Sequence, residues 1–227
     1  MKIGIIGAMQ MEVDALQAAM TASTAETVSG ITFVSGKIGN HDVVAAVCGI
    51  GKVFAAMCAQ TMIMKYAPEA IINIGVAGTV TKGLSVLDIA IADNVCQHDM
   101  DTSPLGDPVG LISGINQIFF PADENLAAAI GAAADKLGCR HITGTIASGD
   151  QFIHLPEKKE WISDTFHAIA AEMEGGSIGH VCTVNKVPFA ILRTISDGDG
   201  GSMDYATFAP KAAIQSINVI METLNTL

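Results

Sequence analysis

The sequence predicts an α/β fold: one domain over residues 1–227, built on a central, twisted, mixed but mostly parallel sheet flanked by helices. Three observations carry that reading. Apolar runs free of charge recur along the whole chain and alternate with segments of helical period, the pattern of strands covered on both faces. Half of the 227 residues are hydrophobic and only 15% are charged, which supplies a sizeable core and argues against long disorder. No break in composition and no repeat marks a second unit.

The first run, Lys2-Ile3-Gly4-Ile5-Ile6-Gly7, reads as a buried strand over 2–7, followed by a helix over 12–20. A second strand spans 42–48. Gly49 and Gly51 break the chain there, and a helix over 53–66 follows the turn. Two more apolar runs, 70–75 and 88–92, read as strands. The stretch from His98 to Pro121 has three prolines and three glycines and no clear period, so it reads as a long loop that serves function or meets a partner. Beyond it come a helix over 124–137, a strand over 142–147, a helix over 156–163 and a strand over 168–171. A helix over 175–185 and a strand over 188–195 lead to the last helix, 207–224. In that helix Ala213, Ile217, Ile220 and Leu224 make one apolar stripe.

Composition narrows the function. A formal net charge of -11 with only two arginines, Arg140 and Arg193, disfavours binding to nucleic acid, which needs clustered cations. The five cysteines form no C-x-x-C pair and read as reduced, buried thiols of a cytoplasmic protein. The amino terminus is too short and glycine-broken for a signal peptide, and the apolar stretch 43–64 carries Gly49, Gly51 and Lys52 in its middle. No membrane span is expected, and the protein reads as soluble.

Ligands of open α/β sheets bind beyond the carboxyl ends of the strands, so the polar residues that follow apolar runs are the candidates. Glu12 follows the first run, Asp150 follows Ile146-Ala147-Ser148-Gly149, Glu172-Met173-Glu174 follows 168–171, and Ser196-Asp197 follows the strand carrying Arg193. Each has a plainer alternative. Glu12 could complement a helix dipole, Glu172 and Glu174 could end a strand, and Asp197 could make a turn before Gly198. Arg193 inside an apolar strand needs a carboxylate or a ligand as partner. Gly49-Ile50-Gly51-Lys52 is similar to the end of a phosphate loop but lacks its first glycine and has Val53 where Ser or Thr belongs. His98-Asp99-Met100-Asp101 could be drawn as a metal site but lacks a second cluster, so neither metal nor other cofactor is expected.

These motifs fall in a familiar order: Gly7-Ala8-Met9 with Glu12, Gly49-Ile50-Gly51-Lys52, Ser148-Gly149-Asp150 with Phe152, Glu172-Met173-Glu174, and Ser196-Asp197. The chain resembles the bacterial 5'-methylthioadenosine/S-adenosylhomocysteine nucleosidases of the purine nucleoside phosphorylase superfamily, from residue 2 to the final helix. The resemblance implies a nucleoside phosphorylase-like fold and hydrolysis of the N-glycosidic bond of an adenine nucleoside. It makes Glu12 the base on water, Asp197 the acid at N7 of adenine, and Glu174 the ligand of the ribose hydroxyls beside Met173. Phe152 would stack on the base and the backbone of Phe152 or Ile153 would read its amine. Arg193 and Ser196 lie in the segment holding ribose, water and Asp197, with Glu172 also in the substrate site. Met9, Ile50 and Tyr205 would build an apolar 5'-pocket. The segment around Thr102 and Leu105 would be lent to a second subunit, which implies a homodimer. One departure stands out: in Gly75-Val76-Ala77-Gly78 the family usually has serine where this chain has Val76.

Sister phosphorylases cradle phosphate with several arginines; here Asn73 stands where they place one, so water is the expected nucleophile. Three readings remain beside it: a noncatalytic nucleoside-binding domain, a phosphorylase, and a nucleosidase for another adenine nucleoside such as aminofutalosine.

Overall fold

The computed structural model describes residues 1–198 and 201–227. Its strands are β1 (Lys2–Gly7), β2 (Thr21–Val28), β3 (Ile31–Ile38), β4 (His41–Val47), β5 (Ala70–Thr79), β6 (Ile89–Gln97), β7 (Phe120–Pro121), β8 (His141–Ser148), β9 (Ala168–Glu172) and β10 (Phe189–Asp197). Its helices are α1 (Asp14–Ala19), α2 (Lys52–Tyr66), α3 (Glu124–Lys136), α4 (Pro156–Phe166), α5 (Gly175–Asn185) and α6 (Ser202–Thr226), with short 3₁₀ turns at Gln10–Glu12 and Ser103–Leu105.

The strands form one mixed sheet, in the order β10-β6-β8-β9-β5-β1-β4-β3-β2, with β7 paired to β6. A further β5–β10 pairing closes β5, β10, β6, β8 and β9 into a barrel. The expectation of a mostly parallel sheet is corrected by the pairings, of which five are parallel and five antiparallel. Closure is the cause: β6 meets β10 and β9 meets β5 with opposed directions, while the hairpins β2–β3 and β3–β4 add antiparallel strands at the far edge. The β2–β3 hairpin turns on Ser29 and Gly30, both at positive φ, the geometry of a two-residue primed turn.

Side-chain alternation sorts the core into two faces. Ile3 and Ile5 of β1, Ile72 and Ile74 of β5, and Ala190 and Leu192 of β10 face α1, α3 and α6. Ile6, Ile71 and Ile191 face the opposite way, toward α2 and α5. Gly4 is needed on that second face, because a Cβ there would lie 2.3 Å from Met62 Sδ. The stripe Ala213, Ile217, Ile220 and Leu224 is buried as its spacing predicts. A smaller cluster holds α4 against the barrel through Ile162 and Phe166. All five cysteines are unpaired, and among the described residues no helix is long and apolar enough to cross a membrane.

The path of β5 makes room for a site. It pairs with β1 only through Asn73, continues along β10, and turns its last residues, Gly78 and Thr79, to β9. Backbone donors on the edge that β1 leaves need other acceptors.

Candidate active site

A cavity of about 400 Å³ opens where β1 and β9 diverge, beyond the carboxyl ends of the strands. That volume suits a small organic ligand. Its floor is Val76, Ala77 and Gly78 of β5; Glu12, Glu174 and Asp197 reach it from three separate segments.

Glu12 sits in the 3₁₀ turn after β1 and is buried. Its Oε2 accepts the N–H groups of Ala8 at 2.8 Å and Met9 at 2.9 Å, and Oε1 accepts the Val76 N–H at 3.2 Å. A carboxylate offers about four acceptor positions, so these three donors leave one for a ligand. Burial pushes its pKa up, against the pull of Arg193 and of the three N–H donors. The departure at Val76 leaves this contact intact, because it is made by backbone; the isopropyl group lines the cavity.

Glu174 precedes α5, and its Oε1 accepts the Gly51 N–H at 2.8 Å. Burial and then the neighbouring Glu172 raise its pKa to about 7, with Arg193, 3.9 Å away, pulling the other way. Asp197 ends β10 just after a register shift in the pairing with β5. Ser196 Oγ donates to its Oδ1 at 2.9 Å, and its buried Oδ2 has no partner among the described residues. Burial raises its pKa, opposed by the Ser196 hydroxyl and by Lys159. A Cβ at Gly78 would stand 2.7 Å from that Oδ2, so glycine there gives the carboxylate its space.

Glu172 and Arg193 do something different. Glu172 Oε2 accepts from Arg193 and from the N–H groups of Glu174 at 3.1 Å and Gly175 at 2.8 Å, while Oε1 accepts the Ser148 hydroxyl. Four protein donors, three of them on Oε2, therefore hold Glu172 in place, although it borders the cavity. Arg193 is buried behind the wall, bonded also to Asn73, and is not among the lining residues. Burial opposes its charge, but Glu172, Glu174 and Glu12 more than offset this and raise its pKa. Breaking such a pair from one side costs about 3–5 kcal/mol.

The remaining expected residues also line the cavity. Phe152 and Tyr205 meet edge to face at 5.5 Å and 81°, and the Tyr205 hydroxyl contacts Met9 Sδ at 3.4 Å. Ile50, Ile153 and Met173 complete the apolar wall. Among the described lining residues there is no lysine or arginine. Arg140 is at the surface with Asp88, and Lys52 is bonded to Asp99. The segment with Thr102 and Leu105 does not reach the cavity of its own chain. Sequence reasoning had not singled out Gln151 and Ser202, which also border it; both follow glycine-containing turns and carry no separate signal.

Residues 2–225 match the Phosphorylase superfamily, which is the class of this α/β chain. Within it, the 5'-methylthioadenosine/S-adenosylhomocysteine nucleosidase of Shewanella putrefaciens is 39% identical over 230 residues, covering all of both chains. The chain belongs to this nucleosidase family. Among solved structures it is similar to a Helicobacter pylori nucleosidase mutant with 5'-methylthioadenosine in the active site, at 33% identity and a TM-score of 0.95, covering 100% of this chain and 99% of that one. It is likewise similar to the futalosine hydrolase of Helicobacter pylori strain 26695, at 34% identity and a TM-score of 0.94, covering 100% and 98%.

Proposed function

We propose that this protein hydrolyses the N-glycosidic bond of 5'-methylthioadenosine and S-adenosylhomocysteine, releasing adenine and the 5-substituted ribose. The observation that carries the reading is a nucleoside-sized cavity with the buried carboxylates of Glu12, Glu174 and Asp197 on its wall, no lysine or arginine among its described lining residues, and Lys52 and Arg193 already engaged by protein. A phosphate dianion would meet negative charge there; water meets a base.

In this reading Asp197 is the acid. Burial shifts it toward the protonated form, and its unpartnered Oδ2 would present that proton to N7, so adenine leaves without full negative charge. The sugar then gains oxocarbenium character, which ionised Glu174 stabilises while accepting from the ribose hydroxyls. Glu12 uses its one open acceptor position to orient and deprotonate the attacking water. Phe152 stacks on the base, the Phe152 or Ile153 backbone reads its amine, and Met9, Ile50, Met173 and Tyr205 surround the sugar and its 5'-group. Glu172 holds Arg193, and Arg193 balances the charge of the carboxylates from behind. The enzyme works without a cofactor, in the cytoplasm, as a homodimer.

The test is incubation of pure protein with 5'-methylthioadenosine, with and without inorganic phosphate, and chromatography of the products. Free adenine and 5-methylthioribose are expected in both. A requirement for phosphate, with a sugar 1-phosphate as product, would overturn hydrolysis, and nucleoside bound but never cleaved would make the protein a binder. Asp197→Asn is expected to lose about 10²–10⁴-fold in kcat while still binding nucleoside. The likeness to a futalosine hydrolase favours a second substrate class, adenine nucleosides with a bulkier 5'-group such as aminofutalosine. Relative kcat/KM values rank them.

A further inference from the structure

Three residues that the chemistry above leaves unused, one from each of three sequence motifs, meet beside the cavity. Lys52 Nζ, from the Gly49-Ile50-Gly51-Lys52 turn, bonds Asp99 Oδ1 at 2.6 Å and Gln97 Oε1 at 3.3 Å. Asp99, from the His98-Asp99-Met100-Asp101 run, accepts the Asp150 N–H at 2.9 Å on its other oxygen. Asp150, from Ser148-Gly149-Asp150, accepts the Lys52 N–H at 2.8 Å. The three residues close a ring that joins the turn before α2 to the turn after β8.

Each turn carries part of the site. The first supplies the Gly51 N–H to Glu174 and the side chain of Ile50; the second leads into Gln151, Phe152 and Ile153. The close approach depends on glycines. Gly51 has φ +99, and a Cβ there would lie 3.0 Å from Asp150 Oδ1. At Gly149 a Cβ would stand 2.4 Å from His98 Cε1 and 3.1 Å from Asp99 Cγ. The Lys52–Asp99 pair is largely shielded, at 18% and 17% exposure, so solvent screens it less than an open surface pair.

We propose that Lys52, Asp99 and Asp150 form a clasp that fixes the ribose-side turn and the base-side turn relative to one another, with Asp99 as a positioning residue for Glu174 and Phe152. The inference rests on the nucleosidase reading of the cavity. Asp99 does not line the cavity; it acts through the Gly51 N–H and through the backbone at Asp150. If the clasp opens, Glu174 loses a donor that favours its ionised form, while Glu172, Arg193 and Glu12 still face it, with Cys48 and Tyr205 nearby.

The experiment compares the parent with Asp99→Asn, Lys52→Met and the double variant. It reads kcat and KM for 5'-methylthioadenosine across pH, binding of 7-deaza-5'-methylthioadenosine, and thermal unfolding. Each single variant is expected to lose about 10- to 100-fold in kcat/KM, since small displacements of positioned groups cost that much. The acidic limb of the profile should move to higher pH, and the double variant should be no worse than either single one. Losses within about twofold, strictly additive losses, or a uniform drop that follows thermal stability without moving the limb would overturn the clasp. If the parent releases no adenine, the hydrolase reading fails instead, and the clasp is judged on the deaza nucleoside: unchanged affinity in the variants overturns it.

Discussion

Glu12, Glu172 and Glu174 surround one guanidinium, with Asp197 held apart on β10, and the protonation of each follows from the donors that replace water around it. Of the three glutamates Glu174 has the least complete replacement, one backbone N–H and a cation at 3.9 Å, and its pKa stands at about 7 against an ordinary 4.5. Between those two values the folded protein binds more protons than the unfolded chain. The contribution to stability is therefore full below about pH 4.5, falls as pH rises, and is lost above about pH 7. Glu174→Gln removes the titration. Without ligand, the variant is expected to melt higher than the parent at about pH 8 but not at about pH 5, as thermal scans would show; an equal difference at both would contradict the assignment.

At the scale of elements, β5 organises the site. Its pairing with β10 sets Gly75 opposite Arg193 and Gly78 opposite Asp197. Both glycines lie against carboxylates: a Cβ would come 2.7 Å from Glu12 Oε1 at Gly75 and 2.7 Å from Asp197 Oδ2 at Gly78. Neither has a positive φ, so alanine meets no backbone strain and acts through the crowded carboxylate alone. Gly78→Ala is expected to lower kcat about 10²-fold while circular dichroism and cooperative unfolding stay near the parent's. Retained turnover would mean that Asp197 tolerates displacement and is not the acid. The β2–β3 hairpin shows the limit of pattern reading at this scale. Its outer strand, Thr21-Ala22-Ser23-Thr24-Ala25-Glu26-Thr27, is exposed throughout, so no alternation of apolar and polar residues announces it. The helix over 175–185 was legible to the residue, whereas 12–20 divides into a 3₁₀ turn and α1, with the Glu12 side chain folded back onto the N–H groups of Ala8 and Met9 just before the turn.

For the whole molecule, the exposed face of α2 carries Val53, Phe54, Met57 and Met64, with Val184 exposed on the adjoining α5. Apolar patches of this kind mark association sites. With the proposed homodimer, Phe54→Glu is expected to convert the protein to monomer by sedimentation at micromolar concentration. Monomeric parent protein would remove the basis for a shared pocket. Barrel closure belongs to this scale too, since it needs β5 to pair both with β10 and, near residue 79, with β9 near residue 170, and no local signal announces such pairings.

The sequence by itself determined the α/β class, seven of the ten strands and the six helices seen among the described residues, the helices to within five residues at either end, and the placing of Glu12, Glu174 and Asp197 at or beyond the carboxyl ends of strands. Buried strands and amphipathic helices are written in local periodicity, and site residues of such sheets follow strands directly. Tertiary structure alone decided the closed mixed sheet, the pairing of Glu172 with Arg193, the single acceptor position left on Glu12, and the ring of Lys52, Asp99 and Asp150. Each depends on which distant segments become neighbours and on how much water they exclude, and that information resides in packing, not in the order of residues along any one element.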